Sequence, residues 1–377
     1  MLGEKSAPVR EEPVGGIAEP DRMPTPALLN EVRQRIDEVL RDFTAAKAQQ
    51  IPAGVDIGPA VRALADFVLT GGKRIRAQLG YWGWRGAGGE DDERDSAYRA
   101  GAALELCHCF GLIHDDIIDA SETRRGRPTL HRQLAQLHSE QSWRGSSDAF
   151  GNSTALLLGD LCLFWADELL TRACGPDRMA AVRSAWHEMR VAEVCGQMFE
   201  MVAQAGRDFT VATGLAVARY KTALYATARP LQVGGALAGA PADLLRSYLD
   251  FGTPLGEAFQ LRDDILGVFG KPEVTGKSAT DDLLEGKPTV LIARALDLAD
   301  ADQRAAIDRL YGDPDLDEDG ATVLREAILT TGAKDSVEEM IKERVELALA
   351  TLADSRATGE ARRVLSDLAL MITDRDS

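Results

Sequence analysis

Apolar residues recur along most of the chain at intervals of three and four positions, the spacing that places them on one face of an α-helix. The first such stretch follows Thr25-Pro26, a pair suited to the N-cap and the first helical position. Alternation with period two is almost absent. The pattern therefore predicts an all-α protein. Beyond the first helix it predicts helices near residues 58–70, 74–86, 95–119, 152–172, 178–204, 209–228, 242–269, 288–311, 320–331, 334–353 and 359–374.

The breaks in this pattern are short, and none resembles a linker between domains. The N-terminal residues mix Pro, Gly and charged side chains without periodicity. We therefore expect a flexible arm over residues 1–24 and one helical domain over residues 25–377. The breaks fall at Gly86–Glu93, Arg124–Pro128, Ser139–Asn152, Gly206–Asp208 and Gly270–Gly286.

The chain is strongly acidic, with 60 acidic and 43 basic side chains and a formal net charge of −17. This charge excludes a nucleic-acid-binding protein of the usual basic kind. A protein of this charge that holds an anionic substrate needs local clusters of basic residues or bound cations.

Other bulk features favour a cytoplasmic protein. No uncharged stretch approaches the roughly 18–20 residues of a membrane span, and residues 1–16 lack the apolar core of a signal peptide. We therefore expect no membrane span. The cysteines are odd in number and form no C-x-x-C pair, which favours reduced thiols in the core. They are Cys107, Cys109, Cys162, Cys174 and Cys195.

A long apolar helix is predicted to end in a run of ionisable residues. His108, Asp115 and Asp119 lie at positions i, i+7 and i+11 and so share one stripe of the helix. Two buried acids one turn apart repel each other unless a cation lies between them. Oxygen ligands of this kind suit Mg²⁺, which bridges carboxylates to substrate phosphates. A similar acidic run at residues 91–95 is charged on every side, so we interpret it as solvated surface.

A second acid pair, Asp263-Asp264, ends another long apolar helix. Gln260 lies one turn before both aspartates, so an amide and a carboxylate can share a face. Alone this pair is a weak signal. Together with Asp115 and Asp119 it predicts two helix ends that face each other across a cavity and hold several metal ions.

Basic residues are concentrated in a few short runs, where a diphosphate could bind. Two consecutive glycines before a lysine let the backbone approach a phosphate, and arginine offers two parallel donors. Each run by itself is also compatible with ordinary surface charge. The runs are Gly71-Gly72-Lys73-Arg74-Ile75-Arg76, Arg124-Arg125, Lys221-Thr222, and the single residues Lys277 and Lys287.

Taken together, these motifs resemble those of the trans-polyprenyl (isoprenyl) diphosphate synthases, closest to the short-chain geranylgeranyl and farnesyl diphosphate synthases. The resemblance covers residues 27–375 and implies a single large helical bundle around a central cavity, of the isoprenoid synthase type. The matching motifs are Asp115-Asp116-Ile117-Ile118-Asp119, Arg124-Arg125-Gly126, Phe259-Gln260-Leu261-Arg262-Asp263-Asp264, the Gly71–Arg76 run, Gly159-Asp160, Gly196-Gln197, Tyr220-Lys221-Thr222 and Val274-Thr275-Gly276-Lys277.

The resemblance implies a Mg²⁺-dependent prenyltransferase, a homodimer with three ions per active site, that joins isopentenyl diphosphate to dimethylallyl, geranyl or farnesyl diphosphate. The metal ligands would be Asp115, Asp116, Asp119, Asp263 and Asp264. The isopentenyl diphosphate would bind Lys73, Arg76, His108 and Arg125. The allylic substrate would bind Arg124, Lys221, Thr222, Gln260, Lys277 and Lys287, with Thr222 and Gln260 facing the developing allylic cation.

Three positions depart from the family pattern. Gly267 stands where a third aspartate is common, Ala77 replaces a proline, and Glu200 replaces an aspartate. The change at Gly267 leaves fewer anionic ligands on the second acidic helix.

Product length in this family depends on side chains just before the first aspartate motif. Phe110 would form a floor, and Gly111 would leave depth beside it, which favours geranylgeranyl diphosphate over farnesyl diphosphate. Phe110 is also compatible with ordinary core packing. A class I terpene cyclase and a non-catalytic subunit of a heteromeric synthase are the alternative functions, and the second diphosphate site and the two intact acid pairs disfavour them.

Overall fold

The computed structural model describes residues 23–50, 56–270 and 280–374, and it confirms the all-α prediction. Most of the predicted N-terminal arm lies outside the described residues. The first part of the chain forms helices α1 Thr25–Gln49, α2 Gly58–Leu69, α3 Ile75–Gly86, a 3₁₀ turn Asp91–Glu93, α4 Arg94–Ile118, strands β1 Thr123–Arg124 and β2 Arg127–Pro128, and helices α5 Leu130–Glu140, α6 Ser147–Ala173 and α7 Pro176–Gly206.

The described residues of the second part of the chain form helices joined by short loops. The strands β1 and β2 before it form a small antiparallel ribbon, with Thr123 opposite Pro128. The helices are α8 Val211–Val217, a π-helix Ala218–Ala228, α9 Arg229–Leu237, α10 Ala242–Phe269, α11 Asp281–Glu285, α12 Val290–Leu298, α13 Ala301–Leu310, α14 Glu318–Thr330, α15 Ala333–Ala353 and α16 Gly359–Thr373.

The structure differs from the predicted helices at several places, since the prediction also omitted the short helices α9 and α11. The prediction omitted helix α5, although Leu130, Leu134 and Leu137 follow helical spacing, because it is short and lies between two polar breaks. The single helix predicted over 288–311 is two helices. Asp300 ends the first and caps the second, since its side chain accepts a hydrogen bond from the Gln303 backbone N–H and its own N–H donates to the Gln303 side chain.

Helix α10 connects the two hydrophobic clusters of the molecule. Its Phe251 and Leu255 pack in the larger cluster, which also contains the buried apolar residues of α4 and α6. Its Leu261 and Ile265 pack in the smaller cluster with α12, α14 and α15. The acidic end of α10 is therefore fixed in place by the packing of Leu261 and Ile265 in the smaller cluster.

Helix α6 has the length and apolar composition that a membrane-crossing helix needs, and it is the one such helix in the described part of the chain. Core helices of soluble bundles meet the same criteria. Helix α6 packs along α4 and α5, with Ala155, Cys162 and Ala166 fully buried. All five cysteines are free, as the sequence predicts.

Candidate active site

The two acidic helix ends meet at one cavity that has a polar half and an apolar half. The two halves share Arg76, His108, Leu112, Asp115, Lys221 and Thr222. The polar half, of about 340 Å³, is also lined by Glu200, Gln260, Asp263, Asp264, Asp282 and Lys287. The apolar half, of about 270 Å³, is also lined by Phe110, Gly111, Glu193, Val194, Met198 and Met201.

Two lysines hold the first acidic helix end, at the end of α4. Lys221 Nζ lies 3.2 Å from Asp115 Oδ1 and also contacts Glu200. Lys287 Nζ lies 2.8 Å from Asp119 Oδ2. Burial alone would raise the pKa of Asp115, but the neighbouring cations bring it down to about 2. Asp115 is therefore ionised at neutral pH, and its charge is balanced by lysine.

Lys221 projects from the π-helix Ala218–Ala228, which also carries Thr222 and Tyr225. Wide turns of this kind often occur at functional sites because they change the direction in which side chains project. Helix α7 approaches this segment closely at Gly196, where a Cβ atom would lie 2.2 Å from the Lys221 backbone nitrogen. Glycine at this position thus allows α7 to pack against the turn that presents Lys221.

Asp116 does not line the cavity, in contrast to its predicted role as a metal ligand. Its side chain is 1% exposed and accepts a hydrogen bond from Arg124 Nε at 2.7 Å. Neighbouring residues on a helix point about 100° apart, so Asp116 cannot share the face of Asp115. Arg124, predicted to bind the allylic diphosphate, pairs with Asp116 and lies 3.7 Å from Asp115 Oδ2, and it also lines a neighbouring pocket with Arg125.

The second acidic helix end, at the end of α10, is organised by hydrogen bonds. Asp264 is 8% exposed and accepts a hydrogen bond from Gln260 Nε2 at 2.8 Å. Gln260 Oε1 accepts another from the Thr222 hydroxyl. Burial raises the pKa of Asp264 to about 8, so it carries a proton at neutral pH until a cation displaces that proton. Asp263 lines the polar half beside it.

A carboxylate from another helix occupies the space at Gly267. A Cβ atom on Gly267 would lie 1.6 Å from Asp282 Oδ2, so the α11 side chain fills the position from which a residue-267 side chain would project. Asp282 also lines the polar half. The sequence analysis missed this residue. Its signal was an acidic pair shortly before Lys287, on a helix whose approach to Gly267 only the tertiary structure reveals.

The four residues predicted to bind isopentenyl diphosphate do not all line one pocket. Arg76 and His108 line both halves of the cavity, Arg125 lines the neighbouring pocket, and Lys73 is exposed. Lys73 precedes helix α3 whereas Arg76 lies in its first turn, so the two side chains project differently. Burial and the charge of Arg76 lower the pKa of His108 well below its usual range, and the imidazole is neutral. Lys277 lies outside the described residues.

Phe110 and Gly111 both line the apolar half, but the depth expected beside Gly111 is filled. A Cβ atom on Gly111 would lie 1.9 Å from Glu193 Oε1. Burial raises the pKa of Glu193 to about 8, against the opposing influence of the Arg76 charge and the Tyr225 hydroxyl. The sequence analysis missed Glu193 because nothing in its local pattern marks it as a cavity residue.

The polar half has the ligand chemistry of a magnesium site. In the part of the chain that the structure describes, no three acidic, histidine or cysteine side chains already converge as a metal cluster. Lys221 and Lys287 lie between the carboxylates instead. Carboxylate oxygens from two helix ends nevertheless reach the same cavity, and Mg²⁺ prefers such oxygen ligands while keeping several waters. The residues therefore fit the ion.

The fold and the cavity define an all-helical enzyme that places acidic and basic side chains at one end of an apolar pocket. A model of the polyprenyl synthetase family matches residues 59–328. The chain therefore belongs to the polyprenyl synthetase family and is a prenyltransferase. Enzymes of this family use isoprenyl diphosphate substrates and a divalent metal.

Relatives with this similarity carry several product names. The geranylfarnesyl diphosphate synthase of Aeropyrum pernix is 31% identical over 339 residues, 89% of this chain and 97% of its own. Heptaprenyl diphosphate synthase component 2 of Geobacillus stearothermophilus is 32% identical over 340 residues, with the same two shares. A Corynebacterium glutamicum geranylgeranyl pyrophosphate synthase, crystallised with isoprenyl diphosphate and magnesium, aligns with a TM-score of 0.87 at 38% identity over 91% of this chain and 99% of its own.

Proposed function

We propose that this chain joins isopentenyl diphosphate to an allylic diphosphate in a Mg²⁺-dependent reaction whose main product is geranylgeranyl diphosphate. The observation that carries the proposal is that the polar and apolar halves adjoin and share the lining residues Arg76, Asp115 and Lys221. A substrate with a diphosphate head and a prenyl tail has the same two parts. Its head fits the polar half, and its tail fits the apolar half.

The residues of the polar half would hold the metal and the departing diphosphate. Asp115, Asp119 and Asp263 would bind Mg²⁺, three ions in all, which supplies positive charge to the leaving group when bound. Lys221 and Lys287 would exchange carboxylate partners for diphosphate oxygens. Burial alone would lower the pKa of Lys221, but Asp115 and Glu200 raise it, so Lys221 keeps its charge.

Bond formation follows from that arrangement. The C–O bond of the allylic diphosphate breaks with its electron pair going to the diphosphate, which preorganised cations stabilise. The oxygens of Thr222 and Gln260 would face the allylic cation. Arg76 and the neutral His108 would position isopentenyl diphosphate so that its double bond attacks the cation. The released diphosphate then accepts a proton from the condensed cation, and the loss of that proton restores a double bond.

Product length would be limited in part by Phe110, whose buried ring lines the apolar half and packs edge-on against His114 with ring centroids 4.6 Å apart. Because Glu193 fills the space beside Gly111, the geranylgeranyl product is proposed from the similarity to the Corynebacterium glutamicum geranylgeranyl pyrophosphate synthase. Phe110→Ala should shift the products to longer chains while activity remains. A variant that loses roughly 3–5 kcal/mol of stability at unchanged product length would make Phe110 a core residue alone.

The direct test incubates the purified chain with labelled isopentenyl diphosphate and dimethylallyl, geranyl or farnesyl diphosphate, with Mg²⁺ or with EDTA. We expect geranylgeranyl diphosphate, and no product with EDTA. Accumulation of farnesyl diphosphate favours the shorter product. A cyclic hydrocarbon formed without isopentenyl diphosphate would identify a terpene cyclase. Turnover that requires a second polypeptide would identify a component of a heteromeric synthase, as the name of the Geobacillus relative suggests.

We also propose that the chain forms a homodimer through α6 and α7. Large apolar side chains on these helices are more than half exposed, which is unusual for a surface that stays in water. Met198 both belongs to this set and lines the apolar half, so a partner subunit would help to close the cavity. Light scattering at micromolar concentration should give twice the monomer mass. The exposed side chains are Leu157, Phe164, Val191, Met198 and Val202.

A further inference from the structure

One carboxyl group in the apolar half has no part in the reaction described above. Glu193 is 9% exposed, and its Oε2 has no hydrogen-bond partner among the described residues. An unpartnered buried polar atom is unfavourable, and its cost falls on the stability of the folded chain. The chain keeps this cost at a position that lines the cavity.

Gly111 brings this carboxyl group onto the path of the substrate tail. Gly111 lies one helical turn before Asp115 on α4, so the space beside it is about 5 Å further along α4 from that acid. Glu193 Oε1 lies 1.9 Å from where a Cβ atom on Gly111 would be. Any side chain at residue 111 would therefore displace the carboxyl group. The Glu193 side chain, from helix α7, therefore occupies the space that a side chain at residue 111 of α4 would fill.

The surroundings of Glu193 hold it in place. The Tyr225 hydroxyl borders the same space, 3.4 Å from where a Cβ atom on Gly111 would be, and lies 3.4 Å from His108 Nδ1. The Arg76 guanidinium lies over the Tyr225 ring, 4.7 Å from its centroid. The carboxyl group thus lies beside Tyr225, and its unpartnered oxygen is buried in the wall of the apolar half.

We propose that Glu193 limits the length of the prenyl chain, because its side chain fills the space beside Gly111 and brings a polar group against the end of the growing tail. The inference rests on the proposed function, since it requires a prenyl substrate. Further tail growth would have to displace the carboxyl group or leave its oxygens against methyl groups. Both are unfavourable, so elongation stops at this wall.

The test compares three variants of the full-length chain by product length. Glu193→Ala removes the blocking group and should raise the ratio of longer products to the wild-type product on the order of tenfold, the effect expected of one or a few pocket methylenes. Glu193→Gln keeps the volume and polarity and should leave that ratio unchanged. Glu188→Ala, on the same helix but paired with Arg229, is the matched control and should also leave it unchanged. If Glu193→Ala fails to fold, Glu193→Asp, which withdraws the carboxyl group by one methylene, should give a smaller shift in the same direction.

An active Glu193→Ala enzyme with the wild-type product distribution would overturn the inference. So would Glu193→Gln if it raised the Michaelis constant for isopentenyl diphosphate at unchanged product length, since Glu193 would then be a positioning residue for Arg76. Binding of S-thiolo analogues of farnesyl and geranylgeranyl diphosphate tests the same wall without turnover. Glu193→Ala should favour the longer analogue by a similar factor. That result in a chain without prenyltransfer activity would sink the proposed function and leave this inference standing.

Discussion

Two carboxyl groups line the same cavity in opposite protonation states. The pKa of Asp115, in the polar half, is about 2, whereas that of Glu193, in the apolar half, is about 8. Burial favours the neutral form of both groups. Their neighbours differ, because Asp115 pairs with Lys221 at 3.2 Å, whereas the charge of Arg76 and the Tyr225 hydroxyl lower the pKa of Glu193 without overcoming the effect of burial. The placement of cations, rather than burial, therefore decides where this cavity keeps negative charge.

The largest effect should come from removing charge in the polar half. Asp115→Asn keeps the shape of the side chain and should lower turnover by about 10²–10³-fold, since it removes a group that acts on the developing charge through the metal. The measurement is kcat at saturating Mg²⁺. Asp92→Asn, in the exposed acidic run at residues 91–95, should leave kcat unchanged. Normal turnover in Asp115→Asn would remove Asp115 from the site.

Removing Lys221 tests the other member of the Lys221–Asp115 ion pair. Lys221→Ala leaves Asp115 and Glu200 facing each other, and we expect the free energy of unfolding to fall by about 1–3 kcal/mol at pH 7. Urea unfolding gives this value. Lys342→Ala removes an exposed lysine and should change it little. Equal stability of the two variants would mean that lysine does not balance the acids of the polar half.

Asp282 should matter less than Asp115 because it stands beside the second acidic helix end. Asp282→Ala should raise the Mg²⁺ concentration for half-maximal activity by about tenfold, as loss of a supporting carboxylate does at other metal sites. The readout is a Mg²⁺ titration at saturating substrate. Asp319→Ala, an exposed residue on α14, should leave the titration unchanged. An unchanged midpoint in Asp282→Ala would separate Asp282 from metal binding.

The smallest effect concerns the pH dependence of stability. The pKa of Glu193 is about 8 in the folded chain and about 4.3 in an unfolded one. Between these two pH values the folded chain therefore keeps a proton on Glu193 that the unfolded chain releases. Stability from this group is present at low pH and is lost as pH rises toward 8. Glu193→Gln does not titrate and therefore lacks this pH-dependent contribution to stability. The Tm of the wild type relative to Glu193→Gln should fall by a few degrees, about 2–4 °C, between pH 5 and pH 8.

The sequence by itself determined the all-α class and the two acidic helix ends, because both are recorded in local patterns. Helical spacing puts Asp115 and Asp119 on one face, and the same spacing separates Asp116 from them. Most predicted helices occur, and their boundaries failed where a short helix or an internal cap, as at Asp300, interrupted the pattern.

The tertiary structure decided which groups meet inside the cavity. Lys287 reaches Asp119, Asp282 fills the space at Gly267, and Glu193 fills the space at Gly111. Each pair joins residues on different elements of the chain, so no spacing along one helix encodes it. The protonation state of each acid depends on those neighbours and on burial, and both exist only once the helices have packed.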